Sequence, residues 1–587
     1  MKNDPAEFTF AEVLASALVI FPALLILTVY VVDAAGWPID PWAMLVLLLL
    51  EIALVVGWAW RGQRWFLIRL DPWGLAGFWV VIGGLFGYIL QLAGRFLLPL
   101  SISGDVVHHL SLIDFIQHRH SLVHDRSLSI YLGELVYYTP GSHILAAMIA
   151  AWLGTTSVRV LHSLLALLVA IKGGIIYNIV LRLLPPRRHN PAVAVAAAAL
   201  LLMAPGYFLK SFTAWYFYPQ VVSETFAVAM CWALIRFDER PSAGVLAFFA
   251  VCGSAVWLTW PLWVAGPAGA LAGLLLIRRD ILFRQKLRWL AFGVAPIALV
   301  GMSYAPGHVK AARGVMAAYG SVLHPSFGNY GWPLLVLMLV GTAAALHNRR
   351  TLPIFLVAGT TVAQTAVLWL SAMMRVTSYY HAYKIFHFLL YPIVLFAALG
   401  LDVLLRLIEQ WRPATRWAAL AMLLPVGAVT IAIQRGLPSH VFSALTEPVY
   451  QGGLWTKAHL PNGCVDYMVD HWVTAYWLHV AILGNARATP RTEAIIHNFP
   501  AHYALAERWT HRTGLPYAIV SDLREIPPQI RSSFRILYES RPAAVVERQS
   551  ESTCKGEVPL DRYVVAPRRR TIAKLLTSPL PSDYFDP

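Results

Sequence analysis

Charged side chains are scarce in this chain: Asp, Glu, Lys and Arg make up only 13% of its 587 residues, about half the share in an ordinary soluble domain. So few charges cannot cover a normal water-facing surface, which excludes a conventional soluble enzyme over most of the length. Acidic residues are the scarcer sign, 31 against 46 Lys plus Arg, leaving a formal charge of +15. Cysteine is nearly absent, with four residues; that excludes a disulfide-dense scaffold, and no spacing matches a zinc site. A basic leader is missing too. Lys2, Asp4, Glu7 and Glu12 precede or open the first apolar run and no small-residue cleavage site stands out, so a cleavable signal peptide is not expected.

What is abundant is apolar: 58% of the chain. Runs of about 20 residues recur through the first three quarters, each long enough to cross a hydrocarbon core of about 30 Å. They predict about thirteen spans, at 13–33, 42–60, 75–98, 158–182, 192–209, 221–236, 243–260, 261–277, 288–304, 331–347, 352–371, 384–405 and 416–434. Basic residues fall in alternate short connections: Arg61, Arg64 and Arg69; Arg182, Arg187 and Arg188; Arg278, Arg279, Arg284, Lys286 and Arg288; Arg349 and Arg350; Arg406, Arg412 and Arg416. That alternation is the positive-inside pattern. The excess charge is therefore mostly topology, with some affinity for anionic lipid, and not a nucleic-acid surface. It predicts a cytoplasmic N-terminus and an outer location for everything after the thirteenth span. The fold class expected is an all-α polytopic membrane protein with a small extracytoplasmic α/β domain, divided as 1–435 and 436–587.

The outer connections are uneven. Residues 99–157 form a long one, in which the apolar segment Ile144–Leu153 is too short to cross and reads as re-entrant or interfacial. Residues 305–330 form another long loop, carrying Lys310 and Arg313. In the C-terminal region, apolar runs at Ala518–Ser521, Arg535–Tyr538 and Ala543–Glu547 predict strands, and Val473–Leu483 a helix. Cys231 and Cys252 sit in predicted spans as small apolar residues. Cys464 and Cys554 stand in the outer domain, where an oxidising compartment lets them pair; the alternative is two buried thiols.

Asp105 is the first candidate for chemistry. It follows the third span in Ser103-Gly104-Asp105-Val106-Val107-His108-His109 and opens an amphipathic segment with Val106, Leu110, Ile113 and Gln117 at helical spacing. One reading is a helix cap on a helix lying along the membrane with one face in lipid. The other is a general base or a metal-assisting carboxylate facing an acceptor. The motif Gly104-Asp105 with His108-His109, then Tyr137-Tyr138-Thr139-Pro140-Gly141-Ser142-His143, then Trp152-Leu153-Gly154, resembles the GT-C-type glycosyltransferases. These membrane enzymes use polyprenyl-phosphate sugars. The resemblance implies that Asp105 is the base or a metal ligand, and it covers the membrane region as an architecture. Two spans more than usual precede the Asp-bearing loop.

Further candidates surround that reading. The histidines 108, 109, 118, 120 and 124 do not complete a familiar metal set, although a divalent ion such as Mg or Mn held by Asp105 and substrate phosphate fits the resemblance. Arg375 and Tyr379-Tyr380-His381-Ala382-Tyr383-Lys384 precede the twelfth span, which contains Pro392. A cation there can grip a departing phosphate, and interfacial anchoring is the competing explanation. His108, His109, Tyr138, Tyr380 and His381 are grouped with them as donor-binding candidates. Lys210 and Trp215-Tyr216-Phe217-Tyr218-Pro219-Gln220 with Glu224 read as an outer loop whose aromatics can stack on a sugar, or as an aromatic belt. Glu51 and Lys172 lie within spans and receive no role, though they are the best support for a transporter. No internal repeat or nucleotide-binding domain is visible. The expected function is an inverting glycosyltransferase that moves a sugar from a polyprenyl-phosphate donor to a glycan, lipid or protein acceptor at the outer face of the cytoplasmic membrane; the alternative is a transporter or lipid-linked-sugar flippase.

Overall fold

In hydrocarbon each backbone N–H and C=O must be satisfied within its own segment, so long apolar runs become helices. The computed structural model describes residues 7–61, 67–100, 103–185, 187, 189–204, 208, 217–317, 327–410, 443–499, 515–552 and 554–564, the backbone alone being described for 7, 55–56, 58–61, 67, 305–317, 327 and 329. In chain order the main helices are α1 (Phe10–Ala34), α2 (Pro41–Arg61), α3 (Pro72–Ala93), α4 (Asp105–Arg119), α5 (Gly141–Trp152), α6 (Ser157–Leu183) and α7 (Asn190–Leu200). They continue with α8 (Tyr218–Glu239), α9 (Ala243–Thr259), α10 (Ala265–Ile277), α11 (Phe283–Ala317), α12 (Trp332–Ala345), α13 (Leu352–Met373), α14 (Tyr379–His387) and α15 (Leu390–Glu409). Every predicted span up to 384–405 corresponds to a helix; 416–434 lies outside the described residues, as does the boundary at 435. Seven of the helical segments are long and apolar enough to cross a bilayer, and the protein is a multi-pass membrane protein.

Local chemistry sets the ends. Thr9 and Glu12 form a capping box at the start of α1, each satisfying a backbone N–H that the first turn leaves free. The predicted span 384–405 is broken at Phe388–Leu389 into α14 and α15. Pro392 has no N–H to donate and sits in the first turn of α15, the one place in a helix where none is needed. Helices α12 and α15 meet backbone to backbone: a Cβ at Gly341 would strike Phe396 O, and one at Gly400 would strike Leu337 O. Small residues at such a crossing give close van der Waals packing, which drives association in lipid.

Three expectations are corrected here. The loop at 305–330 is helical through Ala317, because α11 runs on for 35 residues. Glu224, read as part of an outer loop, lies one and a half turns inside α8. Most consequentially, α4 does not rest on the membrane with one face in lipid. Both of its faces are buried, from Val106 through Leu112 on one side and the other, because α5 lies under it and the C-terminal region covers it. The segment read as re-entrant is α5, with 12 residues, or about 18 Å of rise. It is enclosed by protein rather than lipid.

The C-terminal region holds a four-stranded sheet of order β3 (Val465–Met468), β4 (Tyr517–Val520), β6 (Ala543–Arg548) and β5 (Phe534–Ser540); the first two strands of the chain, β1 (Glu7–Thr9) and β2 (Leu67–Arg69), pair separately and in parallel. β3 runs parallel to β4, and β6 is antiparallel to both of its neighbours. Alternate residues point to opposite faces. Ile519 and Val545 join the main core beside helix α16 (Glu447–His459), while Ala518, Val520, Ala544 and Val546 close a small second core with Met468 and Phe534. The structure pairs Cys464 with Cys554. The main core runs without interruption from the bundle into this region through Val473, Tyr476 and Trp477. Polar ties reinforce the seam: Arg159 with Glu447 at 2.5 Å, Lys457 with Asp114 at 3.4 Å and Tyr131 OH to Val558 O at 2.6 Å.

Candidate active site

Asp105 occupies the first turn of α4, yet its carboxylate is not the cap. The N-cap is Gly104, with no side-chain hydrogen bond, and the Asp105 N–H itself is taken by Ser103 Oγ at 3.1 Å. The carboxylate therefore stays exposed and free for chemistry, in the favourable field of the helix N-terminus. One turn on, His108 donates or accepts a hydrogen bond of 2.7 Å between Nε2 and Tyr476 OH. Its other ring nitrogen has no hydrogen-bond partner and lies 3.4 Å from a Glu134 oxygen. Glu134 comes from a 3-10 turn at Gly133–Tyr137 and is held from behind by the Arg487 guanidinium at 2.6 Å. Partial burial alone would raise the Glu134 carboxyl; His108 and Arg487 outweigh it and hold the group well below the usual carboxylate range.

One ligand atom from each of Asp105, His108 and Glu134 lies within 4.8 Å of the others. Two carboxylates and an imidazole suit a divalent ion that accepts a mixed oxygen and nitrogen set, such as Mn, better than Mg, which prefers oxygen ligands throughout. His108 Nδ1 is buried, faces the Glu134 carboxylate and makes no well-formed hydrogen bond to it, which leaves its lone pair a candidate to share an ion with that carboxylate. The residues present fit the group.

Behind this face stands an aromatic and imidazole wall. His109 Nδ1 and His143 Nε2 are 2.9 Å apart, and Tyr138 and Tyr218 present their edges to the His109 ring at centroid distances of 5.6 and 6.0 Å. Tyr218 OH donates to Ser142 O at 2.5 Å. Burial, with the neighbouring His108, pushes the His109 imidazole down to about 4, against the opposing field of Asp105. It is therefore neutral at physiological pH. Burial and the nearby Tyr380 and Asp105 push the Tyr138 phenol well above its ordinary value.

Tyr138 leads on to Trp260, ring to ring at 6.2 Å, and Trp260 to Lys384. The Lys384 ammonium is 3% exposed and sits inside three rings, 4.0 Å from the Phe217 centroid, 4.3 Å from Tyr380 and 4.5 Å from Trp260. It forms no ion pair among the described residues; Asp105 is the acid whose field reaches it. The other buried lysine among the described residues is arranged quite differently. Lys172 Nζ meets Glu224 Oε2 at 2.6 Å, Tyr391 OH donates to the same oxygen at 2.6 Å, and Gln220 reaches Oε1 at 3.3 Å.

Of the residues singled out from sequence, the structure thus gathers Asp105, His108, His109, Tyr138, Tyr380 and Lys384, with His381 buried beside Tyr380 at 5.3 Å between rings. Glu224 lies deeper and is closed in its pair with Lys172. Arg375 is exposed on a left-handed turn (φ 58°) at the end of α13, and no contact among the described residues ties it to the group. Lys210, Trp215 and Tyr216, and the side chains of Lys310 and Arg313, lie outside the described residues. Glu134, Tyr476, Arg487 and Trp260 were not anticipated as site residues, and the sequence places Phe217 only in an aromatic run able to stack on a sugar. A glutamate after Gly133 within the long outer connection was the only local signal; the others arrive from distant segments.

No protein-family profile matches the sequence, and no curated protein matches it closely enough to count as a relative. Among solved structures, the archaeal oligosaccharyltransferase AglB from Archaeoglobus fulgidus, in complex with an inhibitory peptide and a dolichol-phosphate, is 13% identical, with 76% of this chain and 69% of that chain aligned and a TM-score of 0.42. ArnT from Cupriavidus metallidurans bound to undecaprenyl phosphate is 14% identical over 80% of this chain and 97% of that chain, with a TM-score of 0.46. The Archaeoglobus fulgidus oligosaccharyltransferase in complex with Zn and sulfate is 14% identical over 75% and 67%, with a TM-score of 0.38.

Proposed function

We propose that the protein is an inverting glycosyltransferase that takes a sugar from a polyprenyl-phosphate donor at the outer face of the cytoplasmic membrane, with the C-terminal domain on that same outer side. The observation that carries this reading is Lys384. A buried ion without a counter-ion is costly, and an aromatic cage offsets only part of that cost. The missing partner is an anion, and at the end of a membrane bundle next to a free carboxylate a lipid phosphate answers the description. The phosphate oxygens pair with Lys384, and the Phe217, Trp260 and Tyr380 rings shield the pair from water. Asp105 takes the proton from an acceptor hydroxyl. The acceptor oxygen bonds to the anomeric carbon from the side opposite the phosphate as the carbon–oxygen bond to phosphate breaks, and the electron pair leaves on the phosphate. The anomeric configuration is inverted.

Asp105, His108 and Glu134 are the residues that would hold a divalent ion. Such an ion supplies positive charge to neutralise the charge developing on the phosphate. His108 is aligned for this by Tyr476, and Glu134 by Arg487. His109, kept neutral, adds no competing cation behind Asp105. The transporter alternative drew on Lys172 and Glu51. Lys172 is engaged by Glu224 and Tyr391, and Glu51 by the Thr28 hydroxyl at 2.8 Å, so neither presents a free charge to a cargo.

The test is transfer from radiolabelled polyprenyl-phosphate sugars in membranes, wild type against Asp105→Asn. General-base catalysis predicts a loss of about 100- to 10,000-fold in the variant at equal expression. Undiminished transfer would remove Asp105 from the reaction, and uptake or flipping without a new glycosidic bond would move the protein to the alternative class.

A further inference from the structure

The far end of the bundle carries a second polar concavity. A cavity of about 1410 Å³ opens there between Thr9 and Glu12 at the start of α1, the C-terminal end of α6, the α10–α11 connection and the α12–α13 turn. α1 runs from this cavity to Asp33, whose carboxylate binds His124 in the connection after α4. Its 25 residues put about 37 Å between the cavity and the Asp105 end.

Every cation lining this cavity is an arginine. The positive-inside rule accounts for basic residues near this end, but it is indifferent to Arg or Lys and to their gathering in one hollow. Arg69 is the last residue of β2, and the other six sort into two sets. The inner set is fixed by carboxylates: Arg182 by Glu12 at 2.6 Å, and Arg278 by Asp280 at 2.6 Å and Asp238 at 3.5 Å. Those pairs engage Glu12, Asp238 and Asp280, while Asp71 caps α3 by accepting from the Gly74 N–H at 3.1 Å. The outer set, Arg187, Arg279, Arg349 and Arg350, lines the same cavity, is exposed and forms no ion pair among the described residues. Arg349 and Arg350 occupy a short 3-10 turn that Asn348 stabilises by accepting from the Arg350 N–H at 3.1 Å. The adjoining walls include Trp73, Leu184 and Ile277, so an apolar body can follow a charged head.

We infer that this cavity binds a phosphate ester, with the Arg187, Arg279, Arg349 and Arg350 guanidinium groups holding its oxygens. Planar forks that match phosphate bidentately explain why arginine fills all four positions. The same chemistry is offered by a phospholipid of the adjacent leaflet and by a soluble phosphate compound, and the cavity is open to either. This site is separate from the Asp105 group and its test does not depend on transfer.

The experiment uses the full chain in detergent with Lys384→Met as the background, so that the outer cage does not contribute. Radiolabelled phosphatidic acid and radiolabelled inorganic pyrophosphate are the two probes. The decisive variant is Arg349→Lys with Arg350→Lys, which keeps the charge that governs insertion and removes the forks; Arg349→Gln with Arg350→Gln removes both. Affinity is expected to fall about 10-fold in the first pair and further in the second, with an unchanged melting midpoint in the absence of probe. Retention of phosphatidic acid alone assigns a leaflet lipid, and retention of pyrophosphate assigns a soluble phosphate. Binding of neither probe by the parent protein, or equal affinity in all three proteins, would overturn the assignment.

Discussion

Replacing Lys384 by Met separates a binding role from a structural one, because the two make opposite demands on stability. The substitution keeps the linear apolar stem and removes the charge. In the ligand-free protein it forfeits cation–π contacts with three rings at 4.0–4.5 Å, worth about 0.5–2 kcal/mol each. It also abolishes the desolvation cost of an ion that has no counter-ion, a cost of several kcal/mol. The two terms roughly offset, so the ligand-free melting midpoint is expected to stay within about 1 kcal/mol of wild type or to rise. Binding behaves differently. A desolvated charge pair loses about 2–4 kcal/mol when one partner is removed, so affinity for a polyprenyl phosphate is expected to fall about 30- to 1,000-fold. The assay is thermal unfolding in detergent with and without a short-chain polyprenyl phosphate, which needs no knowledge of the sugar. At a hundred times the wild-type Kd the ligand should stabilise wild type by about 2.7 kcal/mol and the variant by less than about 1 kcal/mol. If Lys384→Met instead melts as early as Lys172→Met while keeping wild-type affinity, the cage is a structural anchor and the phosphate reading fails.

Lys172→Met should behave in the opposite way, losing about 3–5 kcal/mol because it strands Glu224 in the bundle; melting and yield report this, and adding Glu224→Gln should restore most of it. Protonation of His109 gives a pH signature. Its folded value is about 4 against an ordinary 6.5, so the unfolded chain binds the extra proton between those limits. Stability is expected to fall as pH drops from about 6.5 to 4, with a slope of up to about 1.4 kcal/mol per pH unit, and no such dependence should appear above 6.5. Burial pushes the imidazoles of His143 and His479 down as well, so His109→Gln should lessen that slope rather than abolish it; an unchanged slope would exclude His109 as a source. Cys464→Ser with Cys554→Ser opens a loop of 90 residues, for which chain entropy predicts a loss of about 4–5 kcal/mol; melting within 1 kcal/mol of wild type would contradict it.

The bundle was legible because membrane helices announce themselves locally, through about 20 apolar residues and a basic connection. So was the start of α4 at Asp105, and half of the Lys384 cage, since Tyr380 and Lys384 are one turn apart on the same helix face. The other half was not. Phe217 reaches the cage from the start of α8 and Trp260 from the end of α9, and periodicity carries no information about which helix ends converge. The same limit explains the misreading of α4. Its apolar stripe is real, but its polar face was assigned to water when Tyr476 covers it. Nothing in the local sequence says that a residue 368 positions away completes the hydrogen bonding of His108. The strand β3 escaped notice because Val465–Met468 contains Asp466, which interrupts the apolar pattern of so short a run.

The seam between α4 and the C-terminal region has a consequence for biosynthesis. Tyr476 and Arg487, which align His108 and Glu134, are made hundreds of residues after the groups they align. A ribosome that has delivered every span up to α15 has delivered Asp105, but with His108 and Glu134 still unsupported. The candidate centre is therefore assembled last, when the trailing domain folds back onto the bundle, and a truncated or stalled chain should be inert even when fully inserted. Completion of the chain and completion of the candidate centre become a single event.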